Sequence, residues 1–389
     1  MKRAPVLLPL ALLSSGLAAQ APPPNPLKWH GALWASAAAS DRQAPQGALF
    51  LRSLDAGEGA FALDGLAFGA DLALVEGWSL RFTVLGGQDG KVLAAAGLES
   101  GSLTFPEAML IWTGARDVVR IGRMYTFTGM EFLDHTQDVT ASRGLLFTYA
   151  IPLDQVGLAW RHTFSPQWSS DLWLFNGENR VQDNNRGKTL GLGLNYTHGG
   201  VASRYVTVQA YRGPEQDAEG PAAQPGAEGR MRERMTLLFG WDWGATSLAG
   251  EVDAAQETLP DGALAGAPVG PVRARWSGAG VILKRVLDQK WALFLRAETL
   301  KDDQGWVLSG DPALAQPGVS TPGVVRWANT YGANLRATSF AFGAERKWGE
   351  ATFSRLEVRR DALNREVQDR AGRGFREATS ATWSFGASF

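Results

Sequence analysis

Between Tyr125 and Asp154 the chain carries Glu131, Asp134, His135, Asp138 and Arg143 among apolar residues such as Phe127, Phe132, Leu145 and Phe147. This is the longest irregular segment of the early chain, and connections of such length usually have a role. His135 and Ser142 could pair as base and nucleophile, but no Gly-x-Ser-x-Gly elbow and no phosphate loop accompany them. His30, His135, His162 and His198 are scattered, without the spacing of metal ligands. Asp183-Asn184-Asn185 and Asp302-Asp303 offer oxygens that could hold Ca²⁺ weakly, or they are solvated turns. No metal and no cofactor is therefore expected. A second group of charges sits in extended runs: Arg81, Arg120, Glu251, Asp253, Arg296, Glu298, Arg355, Glu357 and Arg359. Their chemistry is electrostatic. Basic and acidic groups set across a pore create a transverse field that tunes ion preference. The alternative is a set of salt bridges that stiffens a wall. No single-sign cluster stands out, so weak ion selectivity follows.

What must position these charges is a succession of strands. The dominant pattern has period two. From Thr379 to Phe389, Thr379, Ala381, Trp383, Phe385, Ala387 and Phe389 fall on one face, and Ser380, Thr382, Ser384, Gly386 and Ser388 on the other. Strict alternation of this kind puts one face in lipid and one in a polar lumen. Trp78–Val84, Thr189–Tyr196 and Leu237–Trp243 repeat it. A secreted β-sandwich also alternates. These strands, however, often reach ten residues or more, the length of a tilted membrane strand (about 9–11) rather than of a sandwich strand (about 5–6). Short turns, such as those at Val75-Glu76-Gly77 and Trp348-Gly349-Glu350, also alternate with long polar connections. The expectation is an all-β, transmembrane, antiparallel up-and-down β-barrel of about 16 strands, with 14 or 18 open. Its short turns face the periplasm and its long loops the exterior. Asp41–Ala60, Gly86–Thr104 and Val324–Ala337 are the segments the pattern reads least well.

Composition agrees. The chain has 46 Gly, 15 Trp and no Cys, which suits close-packed strands with aromatic belts and excludes disulfides and thiolate metal sites. Lys2 and Arg3, an apolar run at Val6–Leu13 and small residues after it read as a signal peptide over 1–20. Residues 21–27 form a Pro-rich leader, and 28–389 the barrel. Without Lys2 and Arg3, 36 basic residues face 39 acidic ones, a net charge of −3. That is no nucleic-acid surface.

Several stretches carry a resemblance. Arg120–Glu131 looks like a strand-to-loop signature, followed by Ser142-Arg143-Gly144 and Tyr149-Ala150-Ile151-Pro152. Asp183–Thr189, Leu295–Glu298 with Asp302, Asp303 and Gly305, and Leu356–Asp361 continue the order. Together they resemble the OmpL-like group of β-barrel porins, most strongly at 118–213 and 291–361. The resemblance implies an outer-membrane channel and supplies no catalytic residues.

From these readings the 125–154 segment is expected to fold into the lumen and narrow it. Glu131, Asp134, His135, Asp138 and Arg143 would face the pore, with the wall charges opposite. A surface loop, with an extra hairpin at Leu145–Trp160, is the alternative. Trp29, Trp78, Trp168, Trp243, Trp291 and Trp348 are expected in aromatic girdles, and Phe389 as an assembly signal. The expected function is passive diffusion of small hydrophilic solutes and ions. A barrel enzyme of lipase or protease type and a plugged structural or adhesive barrel are the alternatives, since barrel width decides whether a channel remains. The partners expected are outer-membrane lipid, the solutes and the barrel-assembly machinery, with a homotrimer left open.

Overall fold

The computed structural model describes residues 26–389 apart from 43, 45, 46, 56, 58, 60, 97–102, 200–202, 219–225 and 312–328. The expected signal peptide and most of the expected leader lie outside the described residues. Sixteen strands alternate in the chain: β1 (Leu27–Ser40), β2 (Phe61–Ala73), β3 (Trp78–Gly86), β4 (Thr104–Thr113), β5 (Asp117–Tyr125), β6 (Asp154–Thr163), β7 (Trp168–Phe175) and β8 (Thr189–His198), then β9 (Arg204–Pro214), β10 (Met231–Trp243), β11 (Thr246–Leu259), β12 (Val272–Val286), β13 (Trp291–Asp302), β14 (Leu335–Lys347), β15 (Thr352–Gln368) and β16 (Gly374–Ser388). Each pairs antiparallel with its neighbours in sequence, and β16 pairs with β1, which closes the barrel.

Alternation explains the wall. Along β16, Thr379, Ala381 and Trp383 are exposed on the outside, while Ser380, Thr382 and Ser384 are buried inside. β8 does the same with Leu190, Leu192 and Leu194 outward. In hydrocarbon no water can satisfy a free backbone N–H or C=O, so the first and last strands must meet. They do so down to the terminal residue. Phe389 N–H donates to Gly31 O at 3.0 Å, and Gly31 N–H donates to Phe389 O at 3.2 Å. Outside, the Phe389 ring joins Phe68 (6.5 Å), which stacks on Trp29 (5.2 Å). Gly31 makes room for it: a Cβ there would stand 2.5 Å from the Phe389 ring.

The segments that pattern reading left weakest are where the barrel departs from a plain wall. Ala44 and residues 47–55 turn into the lumen, and α1 (Gln88–Ala96) follows β3. Phe50, Leu51, Leu54 and Leu93 there join Leu133, Leu145, Leu146, Phe147, Ile151 and Leu153 in one buried cluster inside the barrel. Trp276, Leu300, Leu335, Leu363 and Phe375 of the wall complete it. The strand and loop lengths thus build a barrel of channel width, and part of its lumen holds a hydrophobic core.

Phe389→Asp is expected to impair assembly, because it places a charge in the lipid-facing ring cluster at the closing seam. Phe389→Tyr should assemble normally. Heat-modifiable gel mobility of outer-membrane fractions reads the difference, and normal assembly of the Asp variant would refute it.

Candidate functional site: the inward loop and the lumen wall

The segment between β5 and β6 runs along the inside of β9 to β15 rather than over the surface. Leu146–Ala150 forms a single π-helical turn where the alternative reading placed a hairpin. The turn lies on a glycine bed. Gly278 and Gly280 face inward on β12, and a Cβ at those positions would come within 2.3 Å of Leu146 and 2.8 Å of Met130.

The wall charges hold this loop by its backbone. Glu298 accepts the N–H groups of Leu145 (2.9 Å) and Leu146 (3.2 Å). Glu251 accepts from Met130 N–H at 2.8 Å, and Glu357 from Ala141 N–H at 3.0 Å and from the Ser142 hydroxyl. Arg355 donates to the carbonyls of His135 (3.0 Å), Thr140 (3.2 Å) and Asp138. Arg359 donates to Arg143 O at 2.5 Å and to Leu51 O at 3.2 Å, so it ties two inward segments together. Arg296 is the centre. It donates to Glu131 at 2.8 Å, Thr140 Oγ1 at 2.9 Å and Ser142 O at 2.5 Å, and its Nε lies 3.2 Å from Glu298. Asp253 accepts from Thr236 on the neighbouring strand.

This arrangement corrects two expectations. Glu251, Arg296, Glu298, Arg355, Glu357 and Arg359 do not face the loop across open water; they lie beneath it and bind it. Glu131, His135, Asp138 and Arg143 do not face the pore; all four are buried. His135 engages Asp138 at 2.7 Å, and Arg143 engages Asp89 of α1 at 2.7 Å. Asp134, half-buried, caps its own turn through Thr136 and Gln137. The physical reason is coordination. A loop entering a barrel exposes carbonyls and N–H groups that need partners, and inward charges are the donors and acceptors at hand. Taking charges from water is costly unless such hydrogen bonds satisfy them.

On the other side of the lumen Arg81 pairs with Asp71 at 2.6 Å, and Arg161 with Asp171 at 2.5 Å. Arg120 sits over the Phe127 ring at 5.9 Å. Phe127 stacks on Trp173 (5.7 Å), which stacks on Tyr211 (5.2 Å). Trp34, Trp173 and Trp276 point inward, a use of tryptophan that a girdle reading misses; their positions, opposite in phase to the lipid-facing residues of their own strands, were the available signal. Trp29, Trp78, Trp168, Trp243, Trp291 and Trp348 all stand on the outside at the short-turn end. The loop acids are absorbed locally: Asp183 pairs with Lys188, and Asp302 accepts from Trp306 and Leu308 N–H at 3.0 Å. Ser142 and His135 bind different partners, so they form no nucleophile–base pair.

A closed sixteen-strand barrel with a long loop folded inside defines the class of outer-membrane porins. Residues 52–389 match the family described as "Putative beta-barrel porin-2, OmpL-like", and the chain belongs to it. Solved porins share the fold at low identity. OmpF of Salmonella typhi, in complex with daunomycin, gives a TM-score of 0.58 at 13% identity over 93% of this chain and 97% of that one. OprB of Pseudomonas putida gives 0.57 at 10%, over 93% and 94%. The trimer form of OmpT of Vibrio cholerae gives 0.55 at 10%, over 93% and 99%. No curated protein sequence matches the chain. The protein is thus a porin of the bacterial outer membrane.

Arg296→Ala leaves Glu131 and Glu298 buried without their cation, a loss of about 3–5 kcal/mol for a broken buried pair. The loop should release, and protease cleavage within 131–144 of the purified barrel should appear; a protected loop would refute the anchoring role. Burial pushes the Glu131 carboxyl from 4.5 up to about 7, against the pull of Arg296. A carboxyl raised in the docked loop contributes most below its ordinary value and loses that contribution as pH rises through about 7. Loop protection should therefore fall between pH of about 5 and 8, and Glu131→Gln should flatten that dependence.

Proposed function

We propose that the porin conducts small hydrophilic solutes and ions passively, along the β1–β5 side of its lumen. One comparison carries the reading. Arg81 stands three residues into β3 from a short turn, and Arg355 stands three residues into β15 from another. At this matched depth the Arg81 side chain is 24% exposed and that of Arg355 is 2%. At this depth the β11–β15 side is sealed by the inward loop, and the opposite side keeps contact with solvent. Asp71, Arg81 and Arg120 line that open side, and the inward loop, with Ala44, residues 47–55 and α1 packed against it, is the constriction. Arg81 on the open side and Arg161 on β6 have carboxylate partners, which supports weak ion selectivity. The family and its structural neighbours being channels supports this over a barrel enzyme.

The remaining roles fit the same frame. The outward tryptophans at the short-turn end form a periplasmic aromatic belt, Phe389 is read by the assembly machinery, and residues 1–20 and 21–27 serve as signal peptide and leader. The trimeric form of the Vibrio relative supports a homotrimer.

Purified protein in planar bilayers should give stable single-channel steps with reversal potentials close to zero in a potassium chloride gradient. No conductance would favour a plugged barrel. A strong cation or anion preference would refute the charge-balanced lumen. Gly278→Val, which displaces Leu146 from its bed, should change the step size by altering the constriction.

A further inference from the structure

The outside of the barrel is asymmetric. Among the described residues, outward-facing tryptophans lie in the half of the wall nearest the short turns. At the long-loop end of β12 to β14 the outward positions are cationic instead: Arg273, Arg275, Lys301 and Arg336. Lys301 pairs with Asp303 at 2.7 Å. Arg273, Arg275 and Arg336 are exposed and have no carboxylate partner among the described residues. Register sets them on one patch. Ser277, two residues along β12 from Arg275, pairs with Lys301, and Lys301 pairs with Arg336, so Arg275 and Arg336 stand two strands apart on either side of Lys301.

Beside these cations lies a groove of about 670 Å³ on the outer surface of β9 to β13. Its floor is small or apolar: Ala210, Met235, Ala254 and Ser277. Its far rim is closed by Arg212 and Glu233, paired at 3.4 Å, with Gln256 bonded to Glu233 at 2.5 Å. The recess exists because alanines and a serine occupy outward positions just below long charged side chains. The surface thus combines an apolar trough, running toward the hydrocarbon zone, with unneutralised guanidinium groups at the level of the headgroups.

We infer that this groove binds an anionic lipid of the outer leaflet, with its phosphate headgroup on Arg273, Arg275 and Arg336 and an acyl chain in the trough over Met235 and Ala254. Guanidinium is the group suited to phosphate, since its planar N–H fork matches two phosphate oxygens. Clustered basic residues at a membrane surface recognise anionic headgroups. The apolar floor adds what a free anion would not use, which is why a lipid fits the site better than phosphate alone. A contact with a second copy of the chain would instead call for a continuous apolar rim, whereas this rim is charged.

The test uses the full-length porin, stripped of lipid in detergent and checked for heat-modifiable mobility. A phosphorylated diglucosamine lipid, the same lipid without phosphate and inorganic phosphate are each added, and bound copies are counted by native mass spectrometry. The wild-type protein should retain the phosphorylated lipid. Arg273→Gln/Arg275→Gln/Arg336→Gln should weaken it at least about tenfold, and the lipid without phosphate should bind the wild-type protein as weakly. Ala254→Phe fills the trough and should lower retention with every arginine in place; it carries the test if the triple variant fails to fold. Equal binding by the wild-type protein and both variants overturns the inference. So does equal binding of the two lipids, or inorganic phosphate that binds as tightly as the lipid. A changed oligomer mass in the triple variant with an unchanged lipid count would assign the groove to a second copy and overturn it too.

Discussion

The structure depends on one constraint: a sheet in hydrocarbon can have no free edge. Each unpaired N–H or C=O there costs several kcal/mol, so sixteen strands must close on themselves. The seam between β1 and β16 runs to the last residue, with Gly31 and Phe389 bonded in both directions. Closure fixes everything inside. Once the strand number is set, the barrel width is set, and a barrel of this size encloses more space than its own wall side chains fill. The lumen must then hold water or chain.

This chain uses both. Along β11 to β15 the lumen is dry. Loop 126–153, Ala44, residues 47–55 and α1 bury apolar side chains against Trp276, Leu300 and Phe375 while wall charges take up the loop's polar backbone. The two halves of that arrangement need each other. Apolar packing alone would leave the carbonyls of His135, Thr140 and Arg143 and the N–H groups of Leu145 and Leu146 without partners. The charges alone would lose water for nothing. Glycine is the third component: Gly278 and Gly280 remove the side chains that would hold the loop off the wall. On β1 to β4, α1 and the segment around Phe50 cover the long-loop end of the wall, and nearer the short turns salt bridges such as Arg81–Asp71 keep part of their contact with solvent.

Nearly all of the wall was legible in the sequence. Alternation and turn length place all sixteen strands, most within two or three residues of where they run, because outward and inward environments differ so sharply. β15 runs furthest past the part that alternation marks, which stops near Asp361. It extends to Gln368, and the apolar Leu363 and Val367 there belong to the internal core rather than to an external loop. α1 was equally hidden, for the apolar residues of its sequence run together at Val92–Ala96 instead of recurring at helical spacing, behind a glycine at Gly90. Period-two reading sees two faces and assigns them to lipid and lumen. It cannot tell a lumen position in water from one beneath a folded loop, because both accept a charged residue.

That limit explains both corrections at the site. Arg355, Glu357 and Arg359 form an alternating ladder, and a ladder of charges on a lumen face reads as a pore lining. What distinguishes the buried reading lies elsewhere in the chain. The 125–154 segment has too much leucine and phenylalanine for a solvated loop, and so must cover a surface of its own. A surface it covers inside a barrel is a wall, and the polar groups of a loop lying on a wall call for charged partners there. Read together, an apolar long loop and a charged inner face point to contact between them. A hydrophilic loop above the same ladder would instead have left those charges to the water.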